Sequence, residues 1–456
     1  MDALKKDSKA MKMASIIMAL AWPTMVEQLM HTAVQYIDTA MVGSLGVEAT
    51  AAVGATSTVN WLVGSTISAI SVGFLAYIAK AIGEKDERKT KKAVAQACFM
   101  VLVIGFLSTA ITLSLSGKIP VWMKVDPAIQ RTSSIYFFIL YTPMLFRTSS
   151  IIFGTVLRAS GDAKTPMRVG LFVNLINVIL NFLLIYPTRD FGPIIIPGAG
   201  LGVVGAALAS SISFVFGGIY MAIAVLRHKK ISPKGESFKP DWNVLAPCLR
   251  VAGPNMMQRF GTSLGYVVFA SMINSLGGIA TAAHTIANTV ESAFYIPGYG
   301  MQSAAATLAG NAYGAKDKDK MKELARIFIP IEIALMTISG ALLFVLSEPL
   351  VSIFSDNTEV IRLGSTVLKM VAVSEPFYGF SIIVEGFMQG VGKTKLPFVF
   401  NIAGMWGIRI LGTFICTQIL SMTLVSAWGA MIAHNMLLFL LFMIVYIKGL
   451  WNPLRS

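Results

Sequence analysis

The chain has 456 residues, of which 55% are hydrophobic and only 13% are charged. Soluble globular proteins carry about 25% charged residues, and the mean hydropathy here is +0.70. Most of this chain is therefore expected to contact lipid. The 39 glycines follow no period, 10% of the residues are aromatic, and three cysteines cannot form a framework of disulfides. These features exclude collagen-like, disordered and disulfide-rich secreted proteins.

The net charge of +14 comes from 37 Lys and Arg against 23 Asp and Glu, and taken alone it would suggest a nucleic-acid partner. The basic residues, however, cluster in the short gaps between apolar runs, as they do where Lys and Arg fix the orientation of a membrane protein. With both termini cytoplasmic, 27 basic residues fall in or beside inside loops and five in outside loops. We therefore expect a multi-pass protein of a bacterial or archaeal cell (inner) membrane, with no nucleic-acid partner.

Apolar runs long enough to cross a bilayer, about 20 residues each, occur twelve times along the chain. Their approximate bounds are 13–40, 48–79, 94–117, 132–157, 167–186, 200–226, 245–274, 279–312, 324–346, 358–388, 396–420 and 423–447. The runs predict an all-α membrane protein with twelve transmembrane helices.

The sequence also resembles itself at an offset of 231 residues. The matched pairs include Pro23 and Pro254, Gly46 and Gly277, Asp86 and Asp317, and Gly161 and Gly392. An even number of spans in each half makes the repeats parallel, and paired repeats of this kind build secondary transporters. We thus predict two parallel-repeat six-helix bundles: an N-lobe at 1–226, a cytoplasmic linker at 227–242 and a C-lobe at 243–456.

Two rows of polar side chains interrupt the apolar spans of the first half. Span one carries Glu27, His31, Gln35 and Asp38 at helical spacing, and span five carries Asn174, Asn177 and Asn181. Charged groups inside spans are rare and usually face a cavity or a partner. We therefore predict a coupling-ion site on these two faces. Its members are Asp38, Asn177, Asn181, Asn174, Gln35 and Glu27.

Each of these residues also has a structural interpretation. An asparagine inside a span can serve to connect two helices. The alternative for Asp38 is a structural ion pair or a carboxyl kept neutral by its surroundings, although only His31 shares its face as a basic group. Glu27 lies nearer the cytoplasmic end, where partial solvation would account for it.

The second half does not repeat the polar row of span one, because the offset places Gln258, Thr262, Tyr266 and Phe269 there. Span eight instead gains His284, Asn288, Glu291 and Tyr295 at helical spacing. We predict that Glu291 is a counter-charge for cargo or a second titrating group; the alternative is a structural pair with Arg259. The predicted cargo-binding residues are Glu291, Asn288, Tyr295, Tyr299, Gln258, Met257, Tyr266 and His284.

Several motifs in order resemble the multidrug and toxic compound extrusion (MATE) family. Pro23 followed by the segment 37–43 (Ile-Asp-Thr-Ala-Met-Val-Gly) is similar to its first-span signature, and 157–162 (Leu-Arg-Ala-Ser-Gly-Asp) is similar to its loop after span four. Residues 283–292, Pro297-Gly298 and 310–317 resemble span eight and its exit in the bacterial DinF-like branch. The resemblance covers nearly the whole chain.

Membership of this family implies export of amphipathic, often cationic compounds in exchange for protons or sodium ions. It places Asp38 and Asn177 at the family's coupling positions, where they would form a site for Na+ or a proton; no other metal and no cofactor are expected. Two positions depart from the family pattern. Asn181 stands where some members have an aspartate, and Thr262 stands where NorM-like and eukaryotic members have a glutamate, so Asp38 is left as the principal titrating group of the N-lobe.

Other classes of protein fit the sequence less well. A lipid-linked saccharide or lipid flippase of the same superfamily would share the bundles, but several Arg and Lys should line its cavity, whereas only Arg147, Arg259 and Arg409 lie well inside spans. An enzyme would need a nucleophile or a metal cluster, and the four histidines lie on separate segments. We expect a monomer that is not an enzyme and whose partners are small amphipathic molecules and the lipid bilayer.

Overall fold

The structure, a computed structural model, describes residues 2–123, 125–190 and 195–455 and is almost entirely helical. The helices are α1 (Asp2–Gly43), α2 (Val47–Gly83), α3 (Glu87–Leu115), α4 (Ile119–Trp122), α5 (Pro127–Tyr141), α6 (Met144–Ala159), α7 (Lys164–Ile185), α8 (Gly202–Arg227), α9 (Trp242–Asn274), α10 (Gly278–Gly314), α11 (Lys318–Ser352), α12 (Thr358–Ala372), α13 (Glu375–Gly390), α14 (Lys395–Ile402), α15 (Leu411–Phe414) and α16 (Leu424–Ile447). Helices α14 and α15 belong to one continuous run that includes the π-helical stretches Ala403–Ile410 and Ile415–Ile419.

The predicted transmembrane helices are confirmed as helices. In the described parts of the chain, eight are long and apolar enough to cross a membrane alone, and two bent pairs, α5 with α6 and α12 with α13, do so together. The other two long helices, α9 and α10, have 33 and 37 residues. Both exceed the length of about 20 residues that a bilayer requires. The fold is thus an all-α membrane protein with twelve transmembrane helices.

Two of the predicted spans are broken rather than straight. Helices α5 and α6 meet at an angle of 50°, and α12 and α13 meet at 53°. Pro143 lies at the first break and Pro376 at the start of α13, just after the second. Proline lacks a backbone N–H and clashes with the preceding turn, so a helix bends or ends there.

A short β-hairpin interrupts the predicted loop between the fifth and sixth spans. Strand β1 (Pro187–Asp190) pairs antiparallel with β2 (Ile195–Ala199), with Pro187 opposite Ala199 and a register shift before Arg189. The guanidinium of Arg189 lies 3.9 Å from the ring centre of Tyr186.

The backbone repeats at the predicted offset of 231 residues, and its unusual conformations do so as well. Lys85 and Lys316 both have a positive φ, 58° and 53°, which is uncommon for a residue with a side chain. Asp86 and Asp317, the next residues, cap α3 and α11 by accepting from backbone N–H groups at 2.8 and 2.9 Å. Both halves therefore use the same turn and the same cap, which confirms the two repeats.

Packing divides the chain into two compact units whose bounds differ from those of the repeats. One unit contains Met1–Met25, Leu75–Lys85 and Cys248–Ser456, and the other contains Val26–Phe74 and Asp86–Pro247. In the first unit, the ends of α1 and α2 pack closely on α10, where glycines such as Gly314 leave room for the backbone of Lys80. The division into lobes at 226 and 243 stays a prediction.

In the other unit, the end of the predicted cytoplasmic linker is anchored to α3. Gln96 donates to the carbonyl of Lys239 at 2.8 Å and accepts from the N–H of Asp241 at 2.9 Å. Lys92 forms an ion pair with the carboxylate of Asp241. This contact with the Lys92 ammonium holds the pKa of Asp241 below its ordinary value.

Glycines at close helix contacts give a direct test of this packing. A Cβ at Gly390 in α13 would lie 2.0 Å from the carbonyl oxygen of Ala306 in α10. We expect Gly390→Ala to destabilise the protein by about 1–3 kcal/mol, as overpacking does. The measurement is the midpoint of thermal unfolding of the purified protein, followed by size-exclusion chromatography with fluorescence detection.

The matched control is Gly253→Ala in α9, since a Cβ there meets nothing within 4 Å. Because alanine favours helix over glycine by up to about 1 kcal/mol, the control should be neutral or slightly more stable. Equal midpoints for the two variants would contradict the close α10–α13 contact.

Candidate functional site

Asp38 lies in a hydrogen-bonded cluster that joins α1, α7 and α8. Asn181 donates through Nδ2 both to Asp38 Oδ1 and, at 3.2 Å, to Asn177 Oδ1. Asn177 donates in turn to Ser210 Oγ at 3.3 Å. Both asparagines are buried, one helical turn apart on α7. The two polar rows found in the sequence therefore meet at Asp38, Asn177 and Asn181.

One acceptor beside the Asp38 carboxyl group has no donor. Oδ1 of Asn181 is buried and has no hydrogen-bond partner in the parts of the chain that the structure describes. Leaving a buried acceptor unsatisfied costs about 1–3 kcal/mol. A hard cation binds oxygen atoms of carboxylates and amides, and a protonated carboxyl group is a donor. The chemistry of this cluster therefore fits a cation or a proton.

The other predicted coupling residues lie apart from Asp38. Glu27 forms an ion pair with Arg158 at 3.0 Å, and Arg158 also donates to Thr155 Oγ1 at 3.1 Å. Gln35 lies on the exposed side of α1, where its Nε2 is 3.4 Å from Nε2 of His31. Asn174 is half-buried about one turn before Asn177. Their roles in coupling stay predictions.

The second repeat places an amide cluster where the first has the Glu27 ion pair. The offset maps Glu27 to Gln258 and Arg158 to Gln389. Both glutamines donate to Oε1 of Glu385, at 2.9 and 3.1 Å. Asn401 donates to Oε2 of the same carboxylate at 3.4 Å. Gln258, predicted to bind cargo, thus serves in this structure as a partner of Glu385, a residue that the sequence analysis missed.

A small polar cavity of about 30 Å³ lies in the second repeat. It is lined by Tyr266, Asn288, Glu291, Tyr295, Tyr378, Arg409, Met431 and Asn435. Four of these residues were predicted to bind cargo, and α10 places three of the four on one face. The cavity therefore brings together half of the predicted cargo-binding set.

Arg409, and not Arg259, lies beside Glu291. The Arg409 guanidinium lies over the rings of Tyr266 and Phe269, at 4.7 and 4.3 Å from their centres, and its Nε has no hydrogen-bond partner among the described residues. Arg409 belongs to the π-helical stretch Ala403–Ile410, and π-helical turns frequently mark functional sites. Of the two arginines, Arg409 is the one that lines the same cavity as Glu291, and the role of Glu291 stays a prediction.

The remaining predicted cargo residues are dispersed. The hydroxyl group of Tyr299 is 3.0 Å from that of Tyr378, at the edge of the cavity. His284 is buried and accepts from Trp428 Nε1 at 3.3 Å, so it belongs to the hydrophobic core. Met257 is 57% exposed. Their roles in cargo binding also stay predictions.

Two buried carboxyl groups were not among the site residues predicted from the sequence. Glu332 in α11 is 0% exposed, and neither of its oxygens has a hydrogen-bond partner among the described residues. Glu375, at the start of α13, is 1% exposed. Gly298 makes room for Glu332, since a Cβ there would lie 2.8 Å from Oε1. Neither acid belongs to a polar row, so helical spacing gave no signal for them.

Within the described residues, no group of three His, Cys, Asp or Glu side chains is placed to hold a metal ion.

Comparison with known proteins agrees with this architecture. The family model described as MatE matches residues 23–183 and 254–415, two segments that begin at the same offset as the internal repeat. A probable multidrug resistance protein NorM from Thermotoga maritima is 25% identical over 96% of this chain and 92% of its own length. A multidrug resistance protein MdtK from Edwardsiella ictaluri is 24% identical over 86% of this chain and 85% of its own.

Solved structures share the fold. A transporter of the MOP superfamily from Pyrococcus furiosus superposes with a TM-score of 0.89 at 22% identity, covering 97% of both chains. A crystal structure of a MATE protein in complex with MaL6 gives the same TM-score at 21% identity and the same coverage.

The Glu27–Arg158 ion pair gives a test of whether Glu27 is structural. The side chains of Glu27 and Arg158 are 23% and 18% exposed. Removing one of them leaves the other as a poorly solvated charge without a partner. We expect Glu27→Gln to lower the free energy of unfolding by about 1–3 kcal/mol, as measured by thermal or denaturant unfolding of the purified protein.

The double variant Glu27→Gln with Arg158→Gln leaves no unpaired charge and should recover a large part of this loss. If the double variant is less stable than either single variant, the ion pair is not what holds Glu27 in place. If transport by Glu27→Gln depends on the coupling ion as the wild-type protein does, Glu27 is not part of the ion site at Asp38.

Proposed function

Since the chain belongs to the MatE family, we propose that it is a secondary active multidrug efflux antiporter. It exports amphipathic, often cationic organic compounds by alternating access, in exchange for protons or sodium ions. The observation that carries this proposal is the cluster of Asp38, Asn181 and Asn177 inside the membrane-spanning helices. The names of the relatives, which describe multidrug resistance, support the class of cargo.

Asp38 is the group whose charge changes during the cycle in this proposal. Its carboxyl group lies in α1, and its partners on α7 are neutral amides. A proton arriving at Asp38 would turn the carboxylate into a donor, whereas a sodium ion would be coordinated by carboxylate and amide oxygens. Either event removes a negative charge from the interior of the bundle, where an ionised group is costly.

Cargo recognition is proposed for the polar cavity around Glu291. At about 30 Å³ the cavity is far smaller than the roughly 300–1,000 Å³ of a site for a drug-sized ligand. The helices that line it must therefore separate before cargo enters, as alternating access requires. Glu291, which is 7% exposed, would then offer a poorly solvated negative charge to a cationic cargo.

Efflux of a fluorescent cationic dye from everted membrane vesicles tests the whole proposal. A proton gradient alone and a sodium gradient alone are imposed in separate experiments. Export driven by one of them identifies the coupling ion, and no export under either gradient would contradict the antiport.

The ion site is tested by Asp38→Asn, which keeps the volume of the side chain and removes its ability to change charge. We expect the variant to reach the membrane in normal amount and to lose gradient-driven export almost completely. The matched control is Asp356→Asn, the same change at an exposed position, which should export normally.

Near-normal export by well-expressed Asp38→Asn would rule out this residue as the coupling group. Asn177→Ala removes both the donor to Ser210 and the acceptor for Asn181. A comparable loss of export with cargo binding retained would support a site built by α1 and α7 together.

The cargo site is tested by Glu291→Gln. Loss of the partner of a buried charge can cost several kcal/mol, whereas a neutral cargo loses at most a hydrogen bond of about 1 kcal/mol. We expect affinity for a cationic compound to fall by about tenfold or more and affinity for a neutral compound to fall by less than about threefold. Binding is measured on the purified protein by fluorescence anisotropy, with the exposed Glu348→Gln as the matched control.

A structural role for Glu291 predicts a different pattern. If it only balances Arg409, Glu291→Gln should lower expression and weaken both compounds equally, and adding Arg409→Gln should restore them. Equal losses for the two compounds would therefore remove the cargo role.

A further inference from the structure

Arg147 is a charged residue inside a membrane span whose partners are all neutral. Its Nη1 donates to Oδ1 of Asn60 at 2.5 Å, and the hydroxyl group of Tyr141 donates to the same oxygen at 3.3 Å. The guanidinium lies 5.1 Å from the ring centre of Phe214. In the described part of the chain, no carboxylate lies within 4 Å of it.

The carboxylates of the neighbouring spans are engaged elsewhere. Glu27 is paired with Arg158, and Asp38 accepts from Asn181. An arginine inside a span usually pairs with an acid or faces a water-filled cavity, because an isolated charge there is expensive. An amide oxygen and an aromatic face compensate a full positive charge only in part. Among the residues that the structure describes, no carboxylate therefore pairs with the positive charge of Arg147.

The guanidinium is within reach of a ligand. Arg147 is only half-buried, and Gly64 beside it carries no side chain; a Cβ there would lie 3.2 Å from Nη2. Because Arg147 is only half-buried and Gly64 places no side chain against Nη2, the guanidinium is accessible to a ligand.

The repeat shows that the charged side chains at this place differ between the two halves. At the offset of 231 residues, Asn60 corresponds to Glu291, Gly64 to Tyr295 and Arg147 to Tyr378. All three counterparts line the small cavity of the second repeat. The position that holds a carboxylate in the second repeat is next to a guanidinium in the first.

We propose that Arg147, held by Asn60, is the residue that binds an oxyanion group of the cargo. A guanidinium has five donors in a planar fork and binds a carboxylate through two parallel hydrogen bonds. This inference rests on the proposed function and adds to it a residue that determines specificity.

A matched pair of dyes tests the proposal. One is a rhodamine with a free carboxylate, a zwitterion, and the other is the methyl ester of the same dye, a cation. Binding to the purified protein in phosphatidylcholine nanodiscs, without anionic lipid and without an ion gradient, is measured by fluorescence anisotropy. The ratio of the two affinities measures what the carboxylate contributes to binding, because both dyes share the same cationic ring system.

We expect Arg147→Gln to weaken the zwitterion by about tenfold or more relative to the ester, the range seen when one partner of a buried charge pair is removed. Arg147→Lys, which keeps the charge but not the fork, should change the ratio by a smaller factor. Arg131→Gln removes a positive charge at an exposed position of α5 and should leave the ratio unchanged.

A second variant keeps the test decisive if Arg147→Gln folds poorly. Asn60→Asp puts a carboxylate next to the guanidinium and neutralises it while both helices keep their side-chain volumes. We expect the same relative loss of the zwitterion. If Asn60→Asp and any folded Arg147→Gln weaken both dyes by the same factor, or neither, Arg147 has only a structural role and the proposal is overturned.

The result is distinguishable from failure of the proposed function. Discrimination between the dyes without gradient-driven export would contradict antiport and leave the oxyanion site intact. Normal export with an unchanged ratio of the two dye affinities would support the antiport and contradict the oxyanion site. A wild-type protein that binds neither dye would contradict both.

Discussion

The absence of water around charged groups in the membrane-spanning helices is the constraint on which the rest of the structure depends. An ionised side chain there must find a partner or face a cavity, and this chain meets the requirement in several ways. Glu27 is neutralised by Arg158, Glu385 is held by three amides, and Asp38 is held by Asn181. Only the last arrangement leaves a buried acceptor without a donor, Asn181 Oδ1. Of these three groups, Asp38 therefore has the surroundings best suited to exchange an ion, as the proposed function requires; Glu332 in the second repeat also lacks hydrogen-bond partners among the described residues.

The fold could be read from the sequence because it depends on features that are local. Apolar length defines a span, and turn residues recur at the offset of the repeat; Gly46 and Gly277, for example, have φ values of 113° and 103°. The meeting of Asp38 with Asn177 and Asn181 was also predictable, since one helical face of each span was polar and polar faces in a bilayer pack together.

Partner choice could not be predicted in the same way. Helical spacing shows which residues share a face, but not which neighbouring helix that face meets. The sequence therefore did not indicate that Arg409 rather than Arg259 would line the cavity of Glu291. Glu332 gave no signal because the residues one helical turn before and after it are apolar. The bends after Tyr141 and Ala372 had prolines as a signal, yet their angles of 50° and 53° depend on packing that a sequence does not specify.

The two repeats show how one backbone supports unequal chemistry. Caps, turns and glycine contacts are kept, since a change there would disturb helix packing, while the polar side chains inside the spans differ at nearly every equivalent position. A charge pair in one half corresponds to an amide pair in the other, and Arg147 corresponds to Tyr378. Because the helices that carry these residues pack without needing their charges, the polar positions were free to diverge. The asymmetry of the proposed function, an ion site in one repeat and a differently charged cavity in the other, therefore requires few substitutions and no change of fold.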